Sequence, residues 1–277
     1  MIEAALGRAP LRATALRGGC IDQVYRLEMS GGDSLVAKLG GGGGRLALEG
    51  FMLRYLAAHG PLPVPRVLHA ADQLLIMEFL PGASRLDGGA ERHAAELVAG
   101  LHEVSNERFG FERDTLIGGL DQPNPQTPSW RAFFRDHRLL YMARQALDAG
   151  RLPAALMGRV EALAAGLDTW LVEPPRPSLI HGDMWSGNVL SQGGRITGFL
   201  DPAIYYADAE IELAFGTLFG TFGEAFFARY AELRPLEPGF FEVRRELYNL
   251  YPLLVHVRLF GGGYVSSVEA TLDRLGV

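Results

Sequence analysis

His181-Gly182-Asp183-Met184-Trp185-Ser186-Gly187-Asn188, followed by Phe199-Leu200-Asp201-Pro202, is the stretch from which the rest of the chain can be read. It sets an Asp, an Asn five residues later, and a second Asp thirteen beyond that. Between the Asn and the second Asp lies a hairpin pattern: Val189-Leu190, a Gly193-Gly194 turn, then Ile196 to Leu200. One carboxylate is thereby offered as a proton acceptor, and an amide oxygen with another carboxylate as hard ligands for a divalent cation. Phosphoryl transfer needs this layout: a base for the attacking hydroxyl, and a metal ion held on the phosphates of ATP.

Upstream, residues 11–40 read as strands. Leu11 to Leu16 leads to Arg17-Gly18-Gly19-Cys20-Ile21-Asp22, Gln23 to Met29 alternates, and Ser34 to Leu39 forms a third apolar run. Gly18 and Gly19 between two strand arms suit a flap whose backbone N–H groups approach phosphates, although there is no full G-x-G-x-x-G. Lys38, at the end of Leu35-Val36-Ala37-Lys38, is the cation such a flap would cover. After the Gly40 to Gly44 run, a helix is expected from about Arg45 to His59, stopped by Gly60-Pro61. Glu49 sits one turn into it, placed to pair with Lys38. Val64 to Ala70 and Gln73 to Phe79 form another strand pair, and Leu75 to Gly82 reads as a hinge, with backbone near Glu78 and Leu80 available to an adenine edge.

The remainder is mainly helical. Helices are expected at Ala90 to Val104, Ser129 to Ala149, Pro153 to Leu171, Ala209 to Leu218, Glu224 to Leu233, Phe240 to Phe260 and Val265 to Leu275. Arg108 to Thr127, rich in Gly, Pro and Asn, reads as a long surface loop. Strands first and helices after make an α+β chain of two lobes: a β-rich nucleotide-binding lobe over 1–80 and a helical catalytic and substrate-binding lobe over 81–277.

Composition narrows the function classes. A formal charge of −6 argues against a nucleic-acid binder. No apolar run reaches the roughly 18 residues a membrane span needs, so no membrane partner is expected. One cysteine, Cys20, makes no internal disulfide, and a reduced cytoplasmic protein is the default expectation. If Cys20 is accessible beside the flap, its oxidation would block ATP binding.

His181-Gly182-Asp183 with Asn188 and Asp201 resembles the catalytic core of the aminoglycoside phosphotransferase and choline kinase branch of the protein-kinase-like fold. Within that branch, the wording is similar to the fructosamine kinase (ketosamine 3-kinase) family. The matching pieces are Trp185-Ser186-Gly187-Asn188, Asp201-Pro202-Ala203 with Tyr205-Tyr206, Asp208-x-Glu210, and His256 followed by Phe260-Gly261-Gly262-Gly263-Tyr264. The resemblance implies ATP-dependent phosphorylation of the 3-hydroxyl of a ketosamine, free or on a lysine, and release of the amine from the unstable product. It implies Asp183 as base, Asn188 and Asp201 as Mg²⁺ ligands, and Lys38 on the ATP phosphates, held by Glu49. His181 would prop the loop. Trp185, Tyr206, Asp208 and Glu210 are candidates for the substrate, although the acidic pair could equally cap the next helix. The alternatives are another small-molecule kinase of this fold and a non-catalytic nucleotide-binding module. A monomer or weak dimer is expected.

Overall fold

The structure, a computed structural model, describes residues 1–16 and 22–277. Gly18, Gly19 and Cys20 therefore lie outside the described residues. Five antiparallel strands build the first half: β1 (Arg12–Ala15), β2 (Gln23–Glu28), β3 (Ser34–Leu39), β4 (Val67–Ala71) and β5 (Leu74–Glu78), in the order β1-β2-β3-β5-β4. Side chains alternate across a strand, so β3 and β5 have two buried faces. Leu35, Ala37, Leu74 and Ile76 share one apolar cluster with Leu27 and Met29, against a short helix α1 (Ile2–Leu6). Val36, Leu75 and Met77 join the other, against Leu46 and Leu53 of helix α2 (Arg45–His59). Lys38 is two residues on from Val36 and so falls on the α2 side of the sheet. That parity is what brings it to Glu49.

Helix α2 also faces the second half. Its Met52 and Leu56 belong to the large core, and its Tyr55 ring lies 4.9 Å from Phe111. A boundary drawn at residue 80 thus separates segments of chain, while α2 packs against both halves.

Beyond β5 come α3 (Gly88–His102), the hairpin β6 (Thr115–Ile117) and β7 (Leu120–Gln122), α4 (Trp130–Phe134), α5 (Leu140–Asp148) and α6 (Ala154–Ala165). Strand β8 (Ser178–Ile180), the hairpin β9 (Val189–Gln192) and β10 (Arg195–Phe199), and β11 (Tyr205–Ala207) follow. Helices α7 (Ala209–Leu218), α8 (Glu224–Leu233), α9 (Arg245–Phe260) and α10 (Gly263–Arg274) complete the chain. The expected loop over Arg108 to Thr127 contains β6 and β7; three-residue strands around Gly118-Gly119 are too short to show alternation. The single helix expected from Ser129 to Ala149 is interrupted by a π-helical turn over Arg135–Leu139. Among the described residues no helix is long and apolar enough to cross a membrane.

Candidate active site

Strands β8 and β11 pair antiparallel, with Ile180 opposite Tyr205, so the residues after β8 and before β11 meet. Ala203 N–H donates to His181 O at 2.7 Å. Gly182 has φ +86°, and a Cβ there would stand 2.1 Å from Ala203 O. No larger residue fits, which explains the glycine between His181 and Asp183. His181 itself is fully buried, and burial lowers its pKa, so it props this junction as a neutral ring.

The chain then turns through a 3₁₀ helix over Ser186–Asn188. Asn188 Nδ2 donates to both the carbonyl oxygen and Oδ2 of Asp183, each at 2.9 Å. Both amide protons are spent on Asp183, and Asn188 Oδ1 keeps its lone pairs. Leu200 N–H donates to Asn188 O at 2.9 Å, which ties the far arm of the hairpin and Asp201 to the loop. Asp201 takes φ +52°, the one non-glycine with positive φ among the described residues. Strained backbone of this kind collects at functional sites.

Lys38 Nζ donates to Glu49 Oε1 at 2.8 Å and also to Asp201 Oδ1. Burial alone would depress the Lys38 ammonium, but Asp201 and Glu49 outweigh it and its pKa is raised. Burial pushes Glu49 up to about 7 against the opposing pull of Lys38. Burial also raises Asp183, to about 8, with the Asp201 charge adding and the Asn188 hydrogen bond opposing.

Lys38, Glu49, Asp183, Asn188 and Asp201 line one cleft of about 850 Å³. Val24, Val36, Met77, Phe79 and Leu80 line it too, an apolar slot of the kind an adenine fills. The Leu80 N–H has no hydrogen-bond partner among the described residues, whereas Glu78 N–H is spent on Arg66 O at 2.9 Å. Trp185 lies over Gly187, where a Cβ would meet its ring at 2.4 Å, and remains 37% exposed at the cleft.

Tyr206, Asp208 and Glu210 find their partners within the fold, and for the acidic pair this is the helix-capping alternative. Tyr206 OH pairs with Tyr55 OH at 3.0 Å. Asp208 caps α7 by accepting from Glu210 N–H at 3.0 Å and accepts a hydrogen bond from the Tyr248 hydroxyl at 2.7 Å. Glu210 forms a forked pair with Arg244, at 2.5 and 2.7 Å. None of the three lines the cleft. Tyr205 does.

One positioning residue escaped the sequence reading. Glu212 Oε1 accepts from Gly182 N–H at 2.7 Å, and its other oxygen bonds His102 Nε2 at 3.0 Å. It therefore holds the backbone next to Asp183. The sequence shows only an acid between Ile211 and Leu213, on a helix otherwise buried at those positions, and nothing local names the groups it meets.

These residues can hold a divalent cation. No group of three His, Cys, Asp or Glu gathers among the described residues. An ion shared by Asn188 Oδ1, one Asp201 oxygen, phosphate oxygens and water needs none, which is how Mg²⁺ is commonly held. The Lys38 ammonium already sits on the other Asp201 oxygen.

The sequence profile of the fructosamine kinase family matches residues 2–276. A Synechocystis protein named as a probable ketoamine kinase is 36% identical, over 94% of this chain and 88% of its own. A protein-ribulosamine 3-kinase of Oryza sativa subsp. japonica is 33% identical, over 98% and 85%. A solved structure from Thermobifida fusca that carries the fructosamine-3-kinase name superposes with a TM-score of 0.90 at 30% identity, covering 100% of this chain and 97% of that one.

Proposed function

The chain belongs to the fructosamine kinase family, and from that premise we propose how its residues carry out the reaction. It is an ATP-dependent phosphotransferase that acts on the 3-hydroxyl of a ketosamine. The 3-phosphate so formed is unstable and eliminates, freeing the amine, so the outcome is deglycation. ATP with Mg²⁺ supplies the phosphoryl group and neutralises charge on the oxygens that surround it.

Asp183 accepts the proton of the 3-hydroxyl and orients its oxygen for in-line attack. Asn188 fixes that carboxylate through Oδ2 and offers its own Oδ1 to Mg²⁺. Asp201 is the second Mg²⁺ ligand. Asp183 would be held ionised, against the effect of burial, by a cation carried on Asp201 and Asn188. Lys38, held by Glu49, would be the cation for the α- and β-phosphates. Leu80 N–H receives the adenine edge. Glu78 contributes through its carbonyl alone, since its N–H is engaged. Trp185 forms a wall for the sugar. The observation that carries this reading is the grip of Asn188 on Asp183, with Asp201 and Lys38 lining the same cleft.

The test is phosphate transfer from Mg·ATP to a fructose-lysine and a ribulose-lysine adduct, beside choline and an aminoglycoside, with Asp183→Asn as control. Transfer to the ketosamines alone, lost in the variant, is the expected result. Transfer to choline or the aminoglycoside instead would keep the mechanism and overturn the substrate. Undiminished transfer by Asp183→Asn would overturn the assignment of the base.

A further inference from the structure

Helix α9 turns one face to the cleft: Tyr251, Pro252, Val255, His256, Leu259 and Phe260. Two of these are polar, and each has its hydrogen-bonding sense settled by a partner that can act in only one way.

For Tyr251 the constraint begins at Arg138, a fully buried side chain on the π-helical turn. Its charge meets no carboxylate among the described residues. It donates to Pro123 O at 2.7 Å, His137 O at 2.8 Å and Asn124 Oδ1 at 2.5 Å, and stacks 3.8 Å from the centre of the Tyr205 ring. A guanidinium has donors only, so the oxygen of Asn124 must face it and the nitrogen must turn away, to Thr115 Oγ1 at 2.7 Å. The Thr115 hydroxyl gives its own proton to Ile204 O at 3.3 Å. Gln122 Nε2 then donates to Thr115 Oγ1 at 2.8 Å and to Ala203 O at 3.0 Å, two acceptors. Gln122 Oε1 is left to accept, and it takes the Tyr251 phenol proton at 2.7 Å. Tyr251 Oη keeps only lone pairs for anything that enters the cleft.

His256 reaches the same condition by a shorter route. Its Nδ1 lies 2.7 Å from Pro252 O, a carbonyl, so the neutral ring carries its proton there. Burial lowers its pKa and keeps it neutral. Nε2 is left as an acceptor.

We infer that the α9 wall presents two acceptor-only atoms, Tyr251 Oη and His256 Nε2, which select substrates by the donors they carry: sugar hydroxyls and the protonated amine of a ketosamine. The inference deepens the ketosamine kinase reading and rests on it. A protonated secondary amine has N–H donors and no acceptor. Acylating that nitrogen removes the donors and adds a carbonyl oxygen, which sets acceptor against acceptor.

The experiment compares kcat/KM for a fructose-lysine adduct and for its N-acetylated analogue in the full-length enzyme. A ratio of two substrates cancels the folded fraction, so it reads specificity even in a weakened variant. Wild type is expected to prefer the amine by up to about 10⁴-fold, the scale on which sites built around hydrogen bonds reject a mismatched partner. Tyr251→Phe and His256→Phe should each shrink that preference by about tenfold or more, mainly through KM for the amine. Gln122→Leu frees the Tyr251 proton and should raise the analogue's share. Transfer to the amine with the same ratio in all three variants would overturn the inference alone. Transfer to neither compound by wild type would overturn the kinase reading and take the inference with it.

Discussion

Two acidic segments of this chain are seven residues apart and do opposite work. Asp183 and Asp201 face a cleft and keep lone pairs that nothing in the fold fills. Asp208 and Glu210 are as carboxylate-rich, and every oxygen named for them is met from within: by the helix N-terminus, Tyr248 and Arg244. Burial raises the pKa of Asp208 as it does that of Asp183, to about 6, so a shifted carboxylate does not by itself tell the two kinds apart. What separates them is whether the partner is supplied by the protein or left for a ligand.

The sharpest way to break that contrast is Asp183→Asn. Loss of the base should lower kcat by about 10² to 10⁴-fold. Thermal stability should hold or rise, because a buried carboxylate with poor compensation is removed. A drop in melting temperature with kcat retained would move Asp183 to the structural side.

Arg244→Met should do the reverse. It leaves Glu210 charged in a site where the pair is only 11–12% exposed. Breaking such a pair costs about 3–5 kcal/mol of stability. Calorimetry should show the loss, while KM for the ketosamine per folded molecule stays near wild type. A raised KM without instability would return Glu210 to the substrate.

Asp208→Asn is the milder version. It keeps a cap for α7 but weakens the bond from Tyr248, for about 1–2 kcal/mol by denaturant titration. An effect on kcat larger than on stability would count against the structural assignment.

The smallest effect is a slope with pH. Burial depresses the pKa of His102 despite the Glu212 hydrogen bond. The unfolded chain therefore takes up a proton near the ordinary value of about 6.5 while the folded chain does not, so stability falls as pH drops below that point. The contribution is at most about 1.4 kcal/mol per pH unit and ends at the folded pKa. His102→Gln should remove it. An unchanged slope would show that His102 is charged in the fold.

Much of this architecture is legible without coordinates. Helix α2 begins and ends at Arg45 and His59 as the Gly44 and Gly60-Pro61 borders require, and α7 and α8 span the residues their caps and apolar spacing mark out. The hairpin between Asn188 and Asp201 forms around Gly193-Gly194. These features are local: a turn, a cap or a period of 3.6 is decided by residues that are neighbours in the chain. Glu212, Arg138, Gln122 and Tyr251 were not legible. Each acts through a partner more than ten residues away, and a Glu or Gln inside an amphipathic pattern carries no mark of the group it will meet.

The order of Asp183, Asn188 and Asp201, the strand lysine, the helix that answers it and the family are all properties of this sequence, because residue types at fixed spacing survive any packing. Only the tertiary structure decided which carboxylates remain open, since a lone pair is filled or left free by groups from distant elements. It alone decided the one-way chain of hydrogen bonds from Arg138 to Tyr251, because the sense of each bond is inherited from the one before it, and that inheritance runs through space.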